Sequence, residues 1–164
     1  MLLEIGKVAD VGVPAAVAWA LVRDFPRLSG CIPCLSDFRV VDPDRRYTAV
    51  VSDKLGPFRL QVPIQIEVKS IVEPRQIVVE LSGNDSRGQA RVRGTLDASV
   101  DSADAGTQLA LGMRLEVLGR LAALGAAPMR RRADELFGEF VRRLTAELAA
   151  IATGDDTVSR GAAG

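Results

Sequence analysis

The stretch FRLQVPIQIEVK, residues 58–69, alternates apolar and polar side chains without interruption. Successive side chains of a β-strand point to opposite faces of a sheet, so this period of two predicts a long strand with one buried and one wet face. It is the strongest periodicity in the chain. The apolar side chains of the buried face are those of Phe58, Leu60, Val62, Ile64, Ile66 and Val68.

Other segments show the same alternation over shorter distances. Residues 90–100 and 109–117 alternate clearly, and weaker strand patterns cover residues 2–13, 35–41, 47–55 and 76–82. Turn-forming residues separate these segments, as in Asp42-Pro43-Asp44 and Gly83-Asn84-Asp85. The pattern predicts seven strands that form a curved antiparallel meander.

The period becomes helical from Leu118 onward. Apolar residues from Leu121 to Ile151 fall on one broad stripe, which predicts a long amphipathic C-terminal helix. Pro128 lacks an amide hydrogen, so it predicts either a kink or a fresh helix start. Residues 153–164 are rich in Gly, Asp, Ser and Ala, and we expect them to form a disordered tail after a single domain of residues 1–152.

Two short helices are expected after the first strand, over residues 14–23 and 26–30. The predicted fold is therefore α+β, with one long helix in the concavity of a seven-stranded sheet. Such a helix covers the centre of a curled sheet better than its ends, and an apolar cavity can remain beside it. The same aliphatic pattern is also typical of a completely filled core, and periodicity does not separate the two.

Composition excludes several classes of function. The 21 basic and 21 acidic residues balance, which argues against a nucleic-acid partner. Histidine is absent, so Ser-His-Asp and Cys-His catalysis are excluded, and two cysteines are too few for a structural zinc site. We expect no metal and no other cofactor.

The start Met1-Leu2-Leu3-Glu4-Ile5 has no signal-peptide pattern, and charges interrupt every apolar segment, so we expect a cytoplasmic protein.

A series of short motifs is spread over residues 2–150. The motifs are Val13-Pro14 to Trp19, Leu28 to Cys31-Ile32-Pro33, Tyr47, Leu55-Gly56-Pro57-Phe58, Arg93-Gly94-Thr95 and Ala133-Asp134-Glu135-Leu136-Phe137. In this succession the chain resembles CoxG, a family of carbon monoxide dehydrogenase subunits. That family belongs to the START-like (SRPBCC), helix-grip superfamily, which also holds polyketide cyclases, lipid-transfer domains and coenzyme Q-binding proteins.

The resemblance implies a non-catalytic accessory protein of a molybdenum hydroxylase of the carbon monoxide dehydrogenase type. Such a protein links the enzyme to the membrane and handles a quinone or another lipid-like molecule.

The chain departs from the family in two places. The family usually reads Cys-Ile-Pro-Gly-Cys, whereas here the glycine is missing and the second cysteine is Cys34. Some members carry a C-terminal membrane segment, whereas this sequence ends in the polar residues 153–164, and we expect any membrane contact to be peripheral.

The inward strand positions and the helical stripe must face one another in this architecture, which selects the candidate ligand-binding residues. Each also has the ordinary interpretation of a plain core residue. Asp53 has two interpretations: it anchors a polar end of the ligand if its face is inward, or it reaches water beside Lys54 at the strand end. The candidates are Trp19, Phe25, Ile32, Tyr47, Asp53, Leu60, Val62, Val92, Met113, Leu121, Phe137 and Phe140.

Two further sets of residues are candidates for a function: a pair of cysteines and the arginines of the last helix. Cys31 and Cys34 have the Cys-x-x-Cys spacing of redox pairs, although no βαβ pattern surrounds them, and buried free cysteines are common. The arginines of the last helix are expected on its solvent side, where they either meet an anionic membrane or acidic partner or form a solvated face. These are Arg130, Arg131, Arg132, Arg142 and Arg143.

Two functions from different classes fit this sequence. The first is non-catalytic binding of an apolar small molecule by an accessory protein. The second is an enzyme such as the polyketide cyclases and aromatases of the same superfamily, which need a positioned acid or base. Without histidine, that enzyme depends on Asp53, Tyr47 or an arginine.

Overall fold

A computed structural model of the chain describes residues 1–153. The prediction of a disordered tail falls almost entirely on residues 154–164, which lie outside the described residues. The strands are β1 (Leu2–Val11), β2 (Leu35–Asp42), β3 (Arg46–Leu55), β4 (Phe58–Val72), β5 (Gln76–Asn84), β6 (Arg91–Ala103) and β7 (Gly106–Leu118). The helices are α1 (Ala15–Arg23), α2 (Phe25–Ser29) and α3 (Ala126–Ala152), and a short 3-10 helix, Arg120–Leu124, precedes α3.

The seven strands form one antiparallel sheet in the order β1-β7-β6-β5-β4-β3-β2. Strands β2 to β7 follow one another as a meander, and β1 adds to β7. The helices α1 and α2 carry the chain from β1 at one edge to β2 at the other. The predicted α+β architecture, with its curved sheet, long C-terminal helix and short helices after the first strand, is confirmed.

Two glycines allow the sheet to curl around α3. Gly83 and Gly94 occupy inward positions on the adjacent strands β5 and β6. A Cβ added to Gly94 would lie 2.4 Å from the carbonyl oxygen of Arg114, and one added to Gly83 would lie 2.5 Å from that of Pro63. The curl therefore brings neighbouring backbone into the space that a side chain would need.

The chain makes a fresh start at α3, as one of the two predicted alternatives stated. Gly125 precedes the helix with a φ of 82°, a value that favours glycine. Pro128 falls in the first turn of α3, where an amide hydrogen has no helical acceptor to lose. Strand β7 extends to Leu118, so the helical period begins slightly later than the sequence indicates.

The buried apolar side chains form two separate cores, one at each end of α3. The first core holds Leu144 and Leu148 of α3 together with residues of α1, and the second holds Met129 near the start of α3. The residues of the first core are Val11, Val13, Ala18, Trp19, Leu21, Val22, Cys31, Ile77, Val100, Leu109, Leu144 and Leu148. Those of the second core are Leu3, Ala49, Leu60, Val62, Ile64, Ala90, Val117, Leu121 and Met129.

The turn between β5 and β6 is organised by a buried carboxylate. Asp85 is 4% exposed and accepts hydrogen bonds from the backbone amides of Gln61, Arg87 and Gln89 at 3.0, 3.1 and 3.1 Å. The side-chain amide of Gln89 donates a fourth at 3.0 Å. Burial alone raises the pKa of Asp85, but these hydrogen bonds outweigh it and lower that pKa to about 2.

Gly94→Ala tests the tight curl of the sheet. The added methyl group meets backbone that cannot move independently, so we expect the free energy of unfolding in urea to fall by about 1–3 kcal/mol. Gly6→Ala is the matched control, because a Cβ at this other strand glycine has no heavy atom within 4 Å. The control should change stability by less than about 0.5 kcal/mol. Equal losses in both variants would contradict the steric explanation.

Asp85→Asn tests the buried carboxylate through pH. At pH 7 the variant should lose about 1–3 kcal/mol of unfolding free energy, because a neutral amide cannot accept all four hydrogen bonds. A group with a lowered folded-state pKa stabilises the fold above its unfolded pKa, and this stabilisation is lost as the pH falls through the folded pKa. The difference between wild type and variant should therefore shrink from about pH 4 towards pH 2. A difference that stays constant over this range would sink the explanation.

Candidate ligand-binding site

A row of five apolar side chains crosses the centre of the concave face between the two cores. The register of the sheet places Ile5, Met113, Leu96, Val79 and Val68 side by side on five neighbouring strands. All five are half-buried, whereas side chains at the centre of a close-packed core lose nearly all their exposure. The middle of the concave face is therefore less filled than its two ends.

The helix α3 forms the roof over this row. It is anchored at Met129 in one core and at Leu144 in the other, about 22 Å apart at 1.5 Å per residue. Its close backbone approaches are to β1 and β3, on either side of the central strands. Phe137 is half-buried between the anchors, and its ring centroid lies 6.3 Å from that of Phe140, which packs on the first core. The middle of α3 and the five-residue row thus face one another between the two cores.

Polar contacts fasten one turn of α3 to both sides of the sheet. Arg132 and Asp134 are about 200° apart around the helix, so they point in nearly opposite directions. Arg132 binds Asp53 of β3 with its Nη2 and Nε at 2.8 and 2.9 Å from the two carboxylate oxygens. Asp134 lies 2.6 Å from Lys7 Nζ of β1. Arg130 also donates to a β1 backbone carbonyl, that of Glu4, at 2.8 Å.

Asp53 lies on the inward face of β3, and its carboxylate forms an ion pair with Arg132. Its side chain is only 11% exposed, so the alternative in which it reaches water beside Lys54 is wrong. Burial raises the pKa of Asp53, but hydrogen bonds from Arg132 and the Lys54 amide outweigh it and hold that pKa below its usual value. Asp53 is therefore a carboxylate at neutral pH and a weak base.

An aromatic and polar cluster lies where β3 meets the start of α2. The Tyr47 ring stacks on Phe38 at 5.2 Å and meets the edge of Phe25 at 5.3 Å. The Tyr47 hydroxyl accepts a hydrogen bond from the Asp44 amide at 2.8 Å, and Trp19 Nε1 donates to Glu73 at 3.0 Å. The polar atoms of both side chains are thus engaged within the protein.

The structure separates the candidate residues into three groups. A side chain that borders a water-accessible space retains exposed surface, and five candidates are at most 9% exposed: Trp19, Tyr47, Leu60, Val62 and Leu121. Phe25, Val92, Met113, Phe137 and Phe140 are half-buried. Ile32 is 36% exposed on the loop after α2.

Lys7 was not among the candidates. The odd-numbered positions of β1 all face inward, so the alternation of that strand could have identified it.

Comparison with known proteins decides the family. The model of the carbon monoxide dehydrogenase family CoxG matches residues 6–149. The chain belongs to this family. No curated protein matches the sequence at the significance required. Over residues 1–153 of this CoxG chain, no helix combines the length and the apolar character that a membrane span requires.

Solved structures confirm the START-like fold of this CoxG family member. A conserved protein from Geobacillus kaustophilus matches with a TM-score of 0.80 at 22% identity, over 90% of this chain and 95% of that one. A START superfamily protein from Mycobacterium smegmatis gives 0.67 at 15% identity, over 90% and 98%. The Zhui aromatase/cyclase from a Streptomyces species gives 0.60 at 13% identity, over 92% and 95%.

Four of the five arginines of α3 in this CoxG chain are exposed, as the sequence predicts: Arg130, Arg131, Arg142 and Arg143. Arg132 is a correction, because its guanidinium turns towards β3 and neutralises the buried Asp53. Arg142 and Arg143 both pair with Glu139, and Arg130 donates to the β1 backbone. Much of the predicted positive charge is therefore engaged within the protein.

Both cysteines of the CoxG chain are free thiols. Burial is the main cause that raises the pKa of Cys31 and of Cys34, and the carboxylates of Glu147 and Asp53 respectively act in the same direction. The guanidinium of Arg132, beside Cys34, offsets only part of this effect. Neither thiol has the lowered pKa of a reactive redox cysteine.

Iodoacetamide labelling at increasing pH tests this description of the thiols. Because the pKa of Cys34 is raised, its alkylation rate should still be increasing above about pH 8.5, the ordinary thiol pKa. Cys31 is 5% exposed and should react much more slowly than Cys34. Peptide mass spectrometry gives both rates. A Cys34 rate that levels off below about pH 8 would instead indicate an activated thiol.

Proposed function

We propose that this chain binds an apolar small molecule, a quinone or a lipid-like compound, in the space between α3 and the sheet. In this proposal it performs no chemistry on the ligand and serves a molybdenum hydroxylase of the carbon monoxide dehydrogenase type. The enzyme partner is inferred from the family to which the chain belongs. The observation that carries the binding function is the half-buried apolar row between two filled cores.

The chemistry of the walls supports an apolar ligand. The row contributes only aliphatic and thioether side chains, and the roof adds the aromatic ring of Phe137. Pockets of this kind hold a ligand chiefly by removing its apolar surface from water. The charged pairs lie beside the turn of residues 130–134, where they leave the middle of the space apolar.

The arrangement of the acids favours binding over catalysis. A cyclase needs an acid or base that is free to exchange a proton with its substrate. Asp53 is held by two hydrogen bonds from Arg132, and its lowered pKa weakens it as a base. The Tyr47 hydroxyl is engaged by the Asp44 amide. Likeness to the aromatase/cyclase extends to the backbone fold and supplies no such group here.

Leu96→Trp tests the binding site by filling it. Leu96 occupies the middle of the row, and a larger side chain there should weaken binding of decylubiquinone or a fluorescent long-chain fatty acid by at least about tenfold. If the space is open, the unfolding free energy should change by less than about 0.5 kcal/mol. Fluorescence titration and urea unfolding measure the two quantities on the same samples.

Val8→Trp is the matched control, since Val8 is 61% exposed on the convex face of β1 and should leave both quantities unchanged. A tightly filled interior would give the opposite result for Leu96→Trp, because overpacking a core costs about 1–3 kcal/mol. Such a loss of stability, together with a wild type that binds neither probe, would overturn the proposed binding function. Native mass spectrometry of protein purified from its own host would identify a ligand that co-purifies.

The enzyme partner requires a separate measurement. A purified molybdenum hydroxylase from the same host should co-elute with the chain in size-exclusion chromatography, with or without a bound apolar ligand. Separate elution at micromolar concentrations, about the range of transient complexes, would remove the accessory role and leave the binding function intact.

A further inference from the structure

The two long sides of the apolar space are closed by different kinds of structure. On one side α3 is fastened to β1, which is paired with β7 along its whole length from Leu2 to Val11. On the other side, the loop of residues 30–34 joins α2 to β2 and lies between α3 and the end of β3. We call this segment the 30–34 loop.

The 30–34 loop lies beside two separate turns of α3. A hollow of about 410 Å³ lies at its start, lined by Gly30 and Cys31 on the loop and by Arg143 and Ala146 on the helix. At its other end, Cys34 Sγ lies 3.9 Å from Arg132 Nη2. The loop therefore runs beside the middle of α3, where the roof covers the apolar row.

The attachment at Cys34 is polar and strained. Cys34 has a φ of 66°, a left-handed conformation that is uncommon for a residue with a side chain. Its carbonyl accepts a hydrogen bond from the Ser52 amide at 2.9 Å. The side chain of Arg132 reaches across from α3 to Cys34 and to the neighbouring Asp53. A rotation of this one arginine side chain would release the helix from both groups.

We propose that the 30–34 loop is a latch over the entrance to the apolar space and that the Arg132–Asp53 ion pair is its catch. The latch opens when Arg132 leaves Asp53 and Cys34, and residues 32–34 then move away from α3 while Cys31 stays in the first core and both cores stay packed. The latch rests on the proposed function insofar as the space receives a ligand. Its opening, however, is measurable without one.

Cysteine labelling measures the opening directly. Cys31→Ser and Cys34→Ser remove the native thiols, and Leu96→Cys places one thiol in the apolar row. The catch is then broken by Asp53→Asn together with Arg132→Gln, which leaves no unpaired buried charge and so preserves folding better than either change alone. A bulky dye maleimide should label the thiol at position 96 at least about tenfold faster in the broken-catch protein.

Two controls separate local opening from other causes. Val117→Cys replaces Leu96→Cys in a parallel series, because Val117 is 0% exposed in the second core and reports unfolding of that core. Its labelling should remain slow. Glu139→Gln breaks the exposed pairs of Arg142 and Arg143 on the same helix and should leave labelling at position 96 within about twofold. An unchanged rate at position 96, or an equal rise at position 117, would overturn the latch.

Ligand kinetics distinguish an Arg132 that controls the entrance from an Arg132 that binds the ligand directly. Stopped-flow mixing of the otherwise native chain with the fluorescent fatty acid should show faster association and faster release in the broken-catch protein. The Kd should stay within about threefold, because a latch alters both rates together. A weaker Kd at unchanged association rate would make Arg132 part of the binding site and would overturn the latch. If the wild type binds no probe while position 96 still opens, the proposed function fails and the latch stands.

Discussion

One helix has to cover the concave face of seven strands, and this constraint shapes the rest of the molecule. The apolar stripe of α3 is a single helix wide, whereas the concave face presents inward side chains from every strand. The helix fills the two places where other elements help it. At one end α1 adds Trp19 and Leu21, and at the other the 3-10 helix adds Leu121. The middle has no such help.

Hydrophobic contact alone would leave the middle of α3 free to shift sideways, since burial of apolar area has no preferred direction. The charged pairs supply that direction. Because Arg132 and Asp134 project to opposite sides of the helix, their partners on β3 and β1 fix α3 laterally with opposite charges. A partly buried pair such as Arg132–Asp53 contributes little net stability once its desolvation is counted, so its value lies in position.

The sequence predicted the architecture because period and turn chemistry are local. The alternation of residues 58–69 and the stripe after Leu121 assign each residue to a face, and Pro128 lies in the first turn of α3, as one of its two predicted alternatives stated. The site was harder to predict because it depends on register between distant strands. Leu96, Val79 and Val68 were recognisable as inward residues, but only pairing shows that they are neighbours. Asp53 and Arg132 are 79 residues apart, and their periodicities carry no signal that they meet.

The same reasoning applies to proteins that share this backbone. Proteins that superpose on this chain at 13 to 22% identity share its fold, although few of their side chains are the same. The volume above the row depends instead on the sizes of a few side chains, such as Met113 and Phe137. In the proposed binding function, a single enlargement there would close the space without disturbing the sheet, so stability would be set at the two ends of α3 and selectivity in its middle.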